Sequence, residues 1–268
     1  MLKDITLGQY FPVDSVVHSL DPRVKIISAF IFMAAVFIAD SIVSFGIILA
    51  FVLYIIFLSK IKIINVVKAV RPILFLVIFT AIINLFLTSG DEILFEWRFL
   101  KITKNGLYSA CIMAVRIILL VSATSLLTFT TSPIHLTDGI EKLLSPFSKI
   151  GLPAHELAMM MTIALRFIPT LLEETDKIIM AQKARGADFE SGNLIKRSKA
   201  LVPILVPLFI SSFRRADELA TAMECRCYRG GENRTRLREL KISAKDIFAF
   251  LIMILFLCII IILGVFGK

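Results

Sequence analysis

The sequence has few residues of the types that catalyse reactions or bind transition metals. It contains three histidines and four cysteines, and the histidines are scattered with no nucleophile–base pairing. His155-Glu156 lacks the second histidine of a zinc-protease helix, because position 159 is a methionine. Cys225 and Cys227 have the wrong spacing for a zinc site and no second pair. We therefore expect no metal site and no catalytic residue in this chain.

Three further absences limit the function. No glycine-rich loop ends in Gly-Lys-Ser/Thr, so we expect no ATP binding of that kind. A disulfide framework is not expected, because Cys111 and Cys258 lie inside apolar segments. The first twenty-two residues are polar and are interrupted by glycine and proline, so we expect no cleavable signal peptide before the first apolar segment.

The composition is instead that of a membrane protein. The chain is 57% hydrophobic with a mean hydropathy of +0.86, and it carries 30 Lys and Arg against 21 Asp and Glu. High hydropathy with excess base is typical of a bacterial inner-membrane protein with cationic cytoplasmic loops. Nucleic acid is not expected as the partner, because the bases lie in the segments that flank the apolar runs.

The apolar segments predict five membrane spans. Residues 26–58 would form one helix about 50 Å long, so a hairpin near Asp40-Ser41 divides them into two spans. The others are residues 70–87, 107–129 and 247–264. Residues 201–213 are apolar but short and contain Pro203 and Pro207, which predicts a helix that lies against the membrane domain without crossing.

The predicted fold class is an all-α membrane protein with a cytoplasmic coupling domain inserted between spans four and five. The predicted domains are residues 1–130, 131–245 and 246–268. Residues 131–245 hold eighteen of the thirty bases, which places them and the N-terminus in the cytoplasm and the C-terminus outside. The exception is the loop at residues 88–106, where three bases accompany three acids.

The inserted domain is predicted to be helical. Ser132-Pro133 offers an N-cap followed by proline at the first helical position. Pro169 predicts a kink before a charged helix over residues 171–185, which ends at Gly186. Two apolar helix faces are predicted, one of them rich in methionine. Their residues are Leu136, Ile140, Leu144 and Phe147, and then Leu157, Met160, Met161 and Ala164.

Two helix ends carry an arginine between small residues. These tripeptides are Ala184-Arg185-Gly186 and Cys225-Arg226-Cys227. A single such arginine is usually a solvated cation that stabilises a helix C-terminus. Two in matched settings favour a pair of docking tips, because small neighbours let a guanidinium enter a groove and bind carboxylates or carbonyls.

Arg116 lies in the middle of the fourth predicted span. An ionisable group at that depth is costly and usually faces a partner or a cavity. Two interpretations stay open: a functional role, and an interior residue whose guanidinium binds backbone carbonyls.

Several short segments together resemble a known family. They are Gly8-Gln9-Tyr10, His18-Ser19-Leu20-Asp21-Pro22-Arg23, Leu165-Arg166-Phe167-Ile168-Pro169-Thr170-Leu171, Gln182-Lys183-Ala184-Arg185-Gly186-Ala187 and Cys225-Arg226-Cys227-Tyr228. The chain resembles the transmembrane T component of energy-coupling-factor transporters, which are ABC-type importers of vitamins and metal ions. The resemblance runs from about residue 8 to the final span and is specific in the cytoplasmic stretch.

The resemblance implies a complex with two ABC-type ATPases and a small membrane subunit that captures the substrate. It implies that the two arginine motifs dock one into each ATPase, and that the apolar faces of the coupling helices hold the capture subunit. ATP and magnesium would be bound by the ATPases and not by this chain. The second motif has cysteines where the first has alanine and glycine, so its docking is expected to be less close.

Two other classes of function are weighed against this one. A stand-alone secondary transporter or channel would need broken helices and polar residues near the membrane midplane; Arg116 and, weakly, Asn84 fit it. A membrane anchor that only recruits a soluble partner would need one docking tip and no methionine-rich face. The transported solute is not encoded here, because the capture subunit recognises it.

Overall fold

The structure is a computed structural model, and it describes residues 9–88, 93–97, 100–151, 153–187, 189, 194–230 and 240–266. These residues are predominantly helical, which confirms the predicted all-α fold class. The helices are α1 (Pro22–Ile38), α2 (Ile42–Ser59), α3 (Ile63–Val70), α4 (Leu74–Leu87), α5 (Lys104–Thr130), α6 (Pro133–Leu144), α7 (Ala154–Ala184), α8 (Leu194–Cys225) and α9 (Ala244–Phe266). Two short 3₁₀ segments, Arg71–Ile73 and Ser145–Ile150, complete the helical elements.

A β-hairpin between α4 and α5 was not predicted. Its strands are β1 (Ile93–Trp97) and β2 (Leu100–Thr103), which pair antiparallel with Trp97 opposite Leu100. The pairing satisfies backbone hydrogen-bonding groups of both strands, in a segment for which the sequence predicts only a loop. At its end, the Thr103 hydroxyl accepts a hydrogen bond from the Gly106 amide and so caps α5.

Five helices in the described ranges are long and apolar enough to cross a membrane, which is the predicted number. They are Ile42–Ser59, Ile63–Leu87, Lys104–Thr130, Ala154–Ala184 and Ala244–Gly264. The membership differs from the prediction in two places. Helix α1, predicted as the first span, has 17 residues and is about 25 Å long, which is shorter than the hydrocarbon core. Helix α7, predicted to be cytoplasmic, meets the criterion because its first half is apolar, and its cytoplasmic location stays a prediction.

Several predicted helix boundaries are confirmed, and one is wrong. The hairpin near Asp40 lies between the end of α1 and the start of α2, and α6 begins at Pro133. Residues 201–213 are helical within α8; whether they lie against a membrane stays a prediction. The separate helix predicted after Pro169 is wrong, because α7 runs unbroken from Ala154 to Ala184. A proline removes one helical hydrogen bond, and the apolar periodicity continues on both sides of it.

The chain divides into two compact units. The larger unit contains Gly8–Gly139 and Glu239–Lys268, and the smaller unit contains Ile140–Arg238. In the larger unit α5 packs against each of α1, α2, α3 and α4, while α9 packs against α1 and α2. The side chains of Phe32, Phe51 and Phe256 stack in this core, with Phe51 and Phe256 ring centroids 4.2 Å apart. In the smaller unit α7 packs against α8.

Polar contacts join three helix ends of the larger unit. The Asp246 carboxylate accepts hydrogen bonds from the backbone amide of Asp21 and from Ser243. The ammonium of Lys25 donates to the Thr130 carbonyl at 3.0 Å. Asp21, Lys25 and Asp246 are all buried. The start of α1, the end of α5 and the start of α9 therefore lie together, which gives a structural role to part of the His18–Arg23 motif.

Candidate functional site

The first arginine motif forms the C-terminal cap of α7. The amide of Ala187 donates to the Gln182 carbonyl, and the amide of Gly186 donates to the Lys183 carbonyl, both at 3.0 Å. Gly186 has φ = 84°, the left-handed conformation that glycine adopts without steric cost. This pair of hydrogen bonds is the Schellman motif, and Arg185 is its cap residue.

The second arginine motif forms the same cap at the end of α8. The amide of Tyr228 donates to the Met223 carbonyl at 3.0 Å, and the amide of Cys227 donates to the Glu224 carbonyl at 2.8 Å. Cys227 has φ = 55° and stands where Gly186 stands in the first motif. Arg226 is therefore the cap residue of a second Schellman motif. The match between the two tripeptides extends to their backbone conformation.

Both arginines are exposed, as are the small residues that flank them. Among the residues that the structure describes, neither guanidinium has a side-chain hydrogen-bond partner. In both motifs the helix-terminal carbonyls receive backbone donors, so they do not need the arginine. The guanidinium groups thus retain their donors for another molecule.

A polar cluster, here called the α7–α8 clasp, joins the two helices that carry these caps. The carboxylate of Glu174 on α7 accepts hydrogen bonds from the Ser211 hydroxyl at 2.6 Å and from the Arg215 guanidinium, both on α8. The side chains of Arg215 and Glu174 are 35% and 24% exposed. Solvent therefore screens the ion pair, and we expect about 1 kcal/mol of stabilisation from it.

The clasp is equally distant from both arginine caps. Arg185 follows Glu174 by eleven positions, and Arg226 follows Arg215 by eleven positions. Eleven residues make about three helical turns and span about 16 Å. Each arginine therefore follows its clasp residue at the same distance and on nearly the same face of its helix.

A second contact gives the direction of the two helices. Pro207 has no amide hydrogen, so the Pro203 carbonyl one turn earlier lacks its helical donor. The side-chain amide of Gln182 donates to this carbonyl at 3.5 Å. Because Gln182 follows Glu174 while Pro203 precedes Ser211, the helices pack antiparallel. The caps at Arg185 and Arg226 therefore lie at opposite ends of the helix pair.

Of the apolar residues predicted to hold a partner, the four on α7 are exposed. The residues Leu157, Met160, Met161 and Ala164, here called the methionine stripe, are all exposed, and Met160 reaches 54%. The buried positions of this part of α7 are instead Ala154 and Ala158. Of the second predicted set, Phe147 is exposed, while Leu136, Ile140 and Leu144 are half-buried. The methionine stripe is therefore not part of the core of this chain.

Arg116 contacts the turn between α1 and α2. Its guanidinium donates to the Ala39 carbonyl at 2.7 Å and lies 3.4 Å from the Asp40 carboxylate. Its guanidinium carbon lies 5.7 Å from the centroid of the Phe45 ring. The Tyr108 hydroxyl, two turns earlier on α5, donates to the Asp40 carbonyl. These contacts agree with the interpretation of Arg116 as an interior residue that satisfies backbone carbonyls.

Sequence reasoning missed the clasp residues Glu174, Ser211 and Arg215. One available signal was the pair Ser211 and Arg215, which stand four residues apart and share one face of α8. Their partner lies on another helix, however, and a single sequence does not show which helices meet. His155, considered as a metal ligand, contacts the Glu141 carboxylate at 3.0 Å and so joins α7 to α6.

These features define a class of protein. It is a multi-pass helical membrane protein with a helix pair that presents two matched arginine caps. The family described as cobalt transport protein (CbiQ) matches residues 14–237 of the chain. The chain belongs to this family.

Individual relatives agree with this assignment. The chain is 59% identical over 260 residues to the energy-coupling factor transporter transmembrane protein EcfT of Clostridium kluyveri, covering 97% of this chain and 96% of the relative. It is 55% identical over 254 residues to the protein of the same name from Acidaminococcus fermentans, covering 95% and 94%. The resemblance to the transmembrane T component is confirmed.

The first prediction concerns the residue in the left-handed position of each cap. A side chain there costs about 1–2 kcal/mol. The substitution Cys227→Gly should stabilise the chain by about 1 kcal/mol, and Gly186→Cys should destabilise it by a similar amount. Thermal unfolding of the purified chain in detergent measures both.

The matched control is Cys225→Gly, two residues earlier in the last turn of α8. The same substitution at this helical position should destabilise the chain by about 1 kcal/mol. If Cys225→Gly and Cys227→Gly shift the melting temperature in the same direction, the second cap does not have this geometry.

The second prediction concerns the clasp. A double-mutant cycle with Glu174→Gln and Arg215→Gln should give a coupling free energy of about 1 kcal/mol, because each group loses its charged partner. Unfolding free energies of the four proteins supply the cycle. The neighbouring Glu173→Gln, paired with Arg215→Gln, is the control and should give a coupling energy near zero. Equal coupling in both cycles would show that the Glu174 contact is not formed.

Proposed function

We propose that this chain is the membrane scaffold that couples two ABC-type ATPases to a separate membrane subunit that captures a vitamin or a metal ion. The observation that carries the proposal is the pair of matched arginine caps at the C-terminal ends of α7 and α8. Because these helices are antiparallel, the caps lie at opposite ends of the helix pair. Two equal tips suit two equivalent partners, one at each end. The names of the relatives support the same assignment.

The geometry of the caps also favours docking to a partner over stabilisation of the helix ends as the role of the two arginines. An arginine that stabilises its own helix end would donate to the terminal carbonyls. Here backbone amides already donate to those carbonyls in both motifs. An exposed guanidinium with small neighbours is suited to bidentate contacts with a carboxylate or with carbonyls of a partner. Ala184, Gly186, Cys225 and Cys227 allow the close approach that this requires.

The chemistry of transport belongs to the partners in this proposal. ATP and magnesium bind to the two ATPases, and this chain supplies no catalytic residue. Motion of the ATPases reaches α7 and α8 through their ends. The clasp, about three turns from each tip, passes movement of one helix to the other.

The methionine stripe is the proposed contact for the capture subunit. Its exposure in this chain favours a partner over the alternative of an internal core. Methionine side chains are flexible and can repack against partners of different sequence. The residues Leu136, Ile140, Leu144 and Phe147 complete the proposed contact. Lipid is the competing neighbour, because α7 is long and apolar enough to lie in a membrane.

The proposed location is the bacterial cell membrane, with the N-terminus and both arginine tips in the cytoplasm and the C-terminus outside. The Lys and Arg asymmetry of the sequence supports this orientation. It agrees with the polar contacts among Asp21, Lys25 and Asp246, since the starts of α1 and α9 lie at one end of the larger unit.

The rival function, a stand-alone transporter or channel, has less support. It relied on Arg116 as a polar residue within the membrane. The Arg116 guanidinium donates to the Ala39 carbonyl and lies beside Asp40, so it holds the turn between α1 and α2.

The third prediction tests the two tips. When the chain is co-expressed with its ATPases and capture subunit, Arg185→Ala or Arg226→Ala should each weaken binding of the ATPase at the changed tip by at least about tenfold. Removing a buried interface charge typically costs about 2–5 kcal/mol, which supports this estimate. The double variant should lose both ATPases and all transport.

The control is Arg214→Ala, an exposed arginine on α8 three turns before the second cap. It should leave ATPase co-purification unchanged. The docking proposal fails if the double variant still co-purifies ATPases in full stoichiometry and transports normally.

The fourth prediction tests the methionine stripe. Met160→Glu and Met161→Glu should release the capture subunit, because a charge would be buried in an apolar contact. They should leave the ATPases bound through Arg185 and Arg226. Quantitative mass spectrometry of the affinity-purified complex measures both partners in one sample.

A matched control is Met180→Glu, an exposed methionine on the same helix but outside the stripe. It should retain the capture subunit. Loss of the ATPases before the capture subunit, or unfolding of the Met160 and Met161 variants alone, would show that the stripe is not the contact for the capture subunit.

A further inference from the structure

A cavity of about 1550 Å³ opens in the larger unit between the end of α2 and the start of α9. Its wall includes the N-terminal segment before α1, and it contains Tyr10, Leu53, Phe57, Lys60, Lys62 and Lys245. Neither arginine cap nor the methionine stripe contributes to it. The cavity exceeds the roughly 300–1,000 Å³ typical of small-molecule sites.

Three lysines from two separate parts of the chain make the cavity positively charged. Lys60 and Lys62 follow α2, while Lys245 lies in the first turn of α9, and all three are exposed. Asp14 is the one carboxylate on the wall, within the residues described. His18 adds no charge near neutral pH, because partial burial and the nearby Lys25 ammonium lower the pKa of its imidazole.

The backbone fixes the position of Lys60. This residue caps α2 in the left-handed conformation with φ = 55°, and its amide donates to the Phe57 carbonyl at 3.1 Å. A lysine has no steric reason to adopt that conformation, which glycine or asparagine adopts more easily. Residues held in this way are concentrated at functional sites.

The cavity also has apolar, exposed lining residues on the last turns of α2. Phe57 is 81% exposed, and Leu53, one turn earlier on α2, is also exposed. Both belong to Ile42–Ser59, a helix apolar enough to cross a membrane, whereas Lys60 and Lys62 follow its last residue. The cavity therefore lies at the level where a span ends, with cations on the aqueous side and apolar side chains on the membrane side.

We propose that this cavity binds an anionic phospholipid of the surrounding bilayer. Its phosphate would lie among Lys60, Lys62 and Lys245, and one acyl chain would follow Leu53 and Phe57. Basic pockets between membrane helices bind anionic headgroups, and each lysine near the membrane surface adds to the attraction. A soluble anion would use the lysines but would gain nothing from the apolar wall.

The experiment measures lipid retention by the purified full-length chain. Native mass spectrometry would compare phosphatidylglycerol with phosphatidylcholine, each added to the same detergent micelles. The chain should retain phosphatidylglycerol preferentially. The triple variant Lys60→Gln, Lys62→Gln, Lys245→Gln should reduce that retention by about a hundredfold, because about fivefold is expected per lysine. Phe57→Gln should weaken retention without changing the charge.

The matched control is Lys68→Gln, Lys142→Gln, Lys199→Gln, which removes the same charge at exposed lysines outside the cavity. It should retain phosphatidylglycerol like the unmodified chain. Equal retention of the two lipids, or equal loss in both triple variants, would overturn the proposal. So would displacement of phosphatidylglycerol by an equimolar soluble anion, glycerol 3-phosphate. Loss of selective retention in the assembled complex would identify a protein partner as the occupant instead.

Discussion

Backbone carbonyl oxygens at helix ends need hydrogen-bond donors, and in an apolar environment water cannot supply them. In this chain basic side chains from other segments supply several. Arg116 donates to Ala39 at the end of α1, and Lys25 donates to Thr130 at the end of α5. Arg23 donates to Leu240 just before α9. These hydrogen bonds join distant parts of the larger unit, so the same groups that satisfy the helix ends also determine how the helices are arranged.

The arginine caps of the smaller unit are different, because their carbonyls are satisfied locally. In both Schellman motifs the donors are backbone amides one or two residues past the cap. The terminal carbonyls of these two helices therefore do not need Arg185 or Arg226 as a donor. Each cap is complete without its arginine, so the guanidinium is left to bind a partner. This is the physical basis for proposing these tips as interaction sites. The second cap strains the backbone at Cys227, because this residue adopts the left-handed conformation without being glycine.

In the proposed function, the clasp is the contact that links the helices of the two arginine caps. Glu174 binds Ser211 and Arg215. The number of residues from the clasp to the arginine cap is the same on α7 and on α8. An α-helix is stiff over three turns, so a force applied at one cap reaches the clasp with little loss. A partly exposed ion pair of modest strength suits a contact that must hold two helices together yet permit them to move.

The sequence by itself predicted most of the helices and several of their ends. Apolar runs of sufficient length predicted five spans, and Asp40, Pro133 and Gly186 marked boundaries that the structure confirms, because these signals act on neighbouring residues. The match between the two tripeptides could also be seen in the sequence. That both form the same Schellman cap could not be predicted, because a cysteine such as Cys227 gives no local reason to adopt a positive φ. The failure at Pro169 has a similar cause, because continued packing on both sides outweighed a local helix breaker. Only the tertiary structure decided which side chains meet across helices: Glu174 with Arg215, Arg116 with Ala39, and the three lysines around one cavity. Those contacts join residues far apart in sequence, and their formation depends on helix packing that no local pattern encodes.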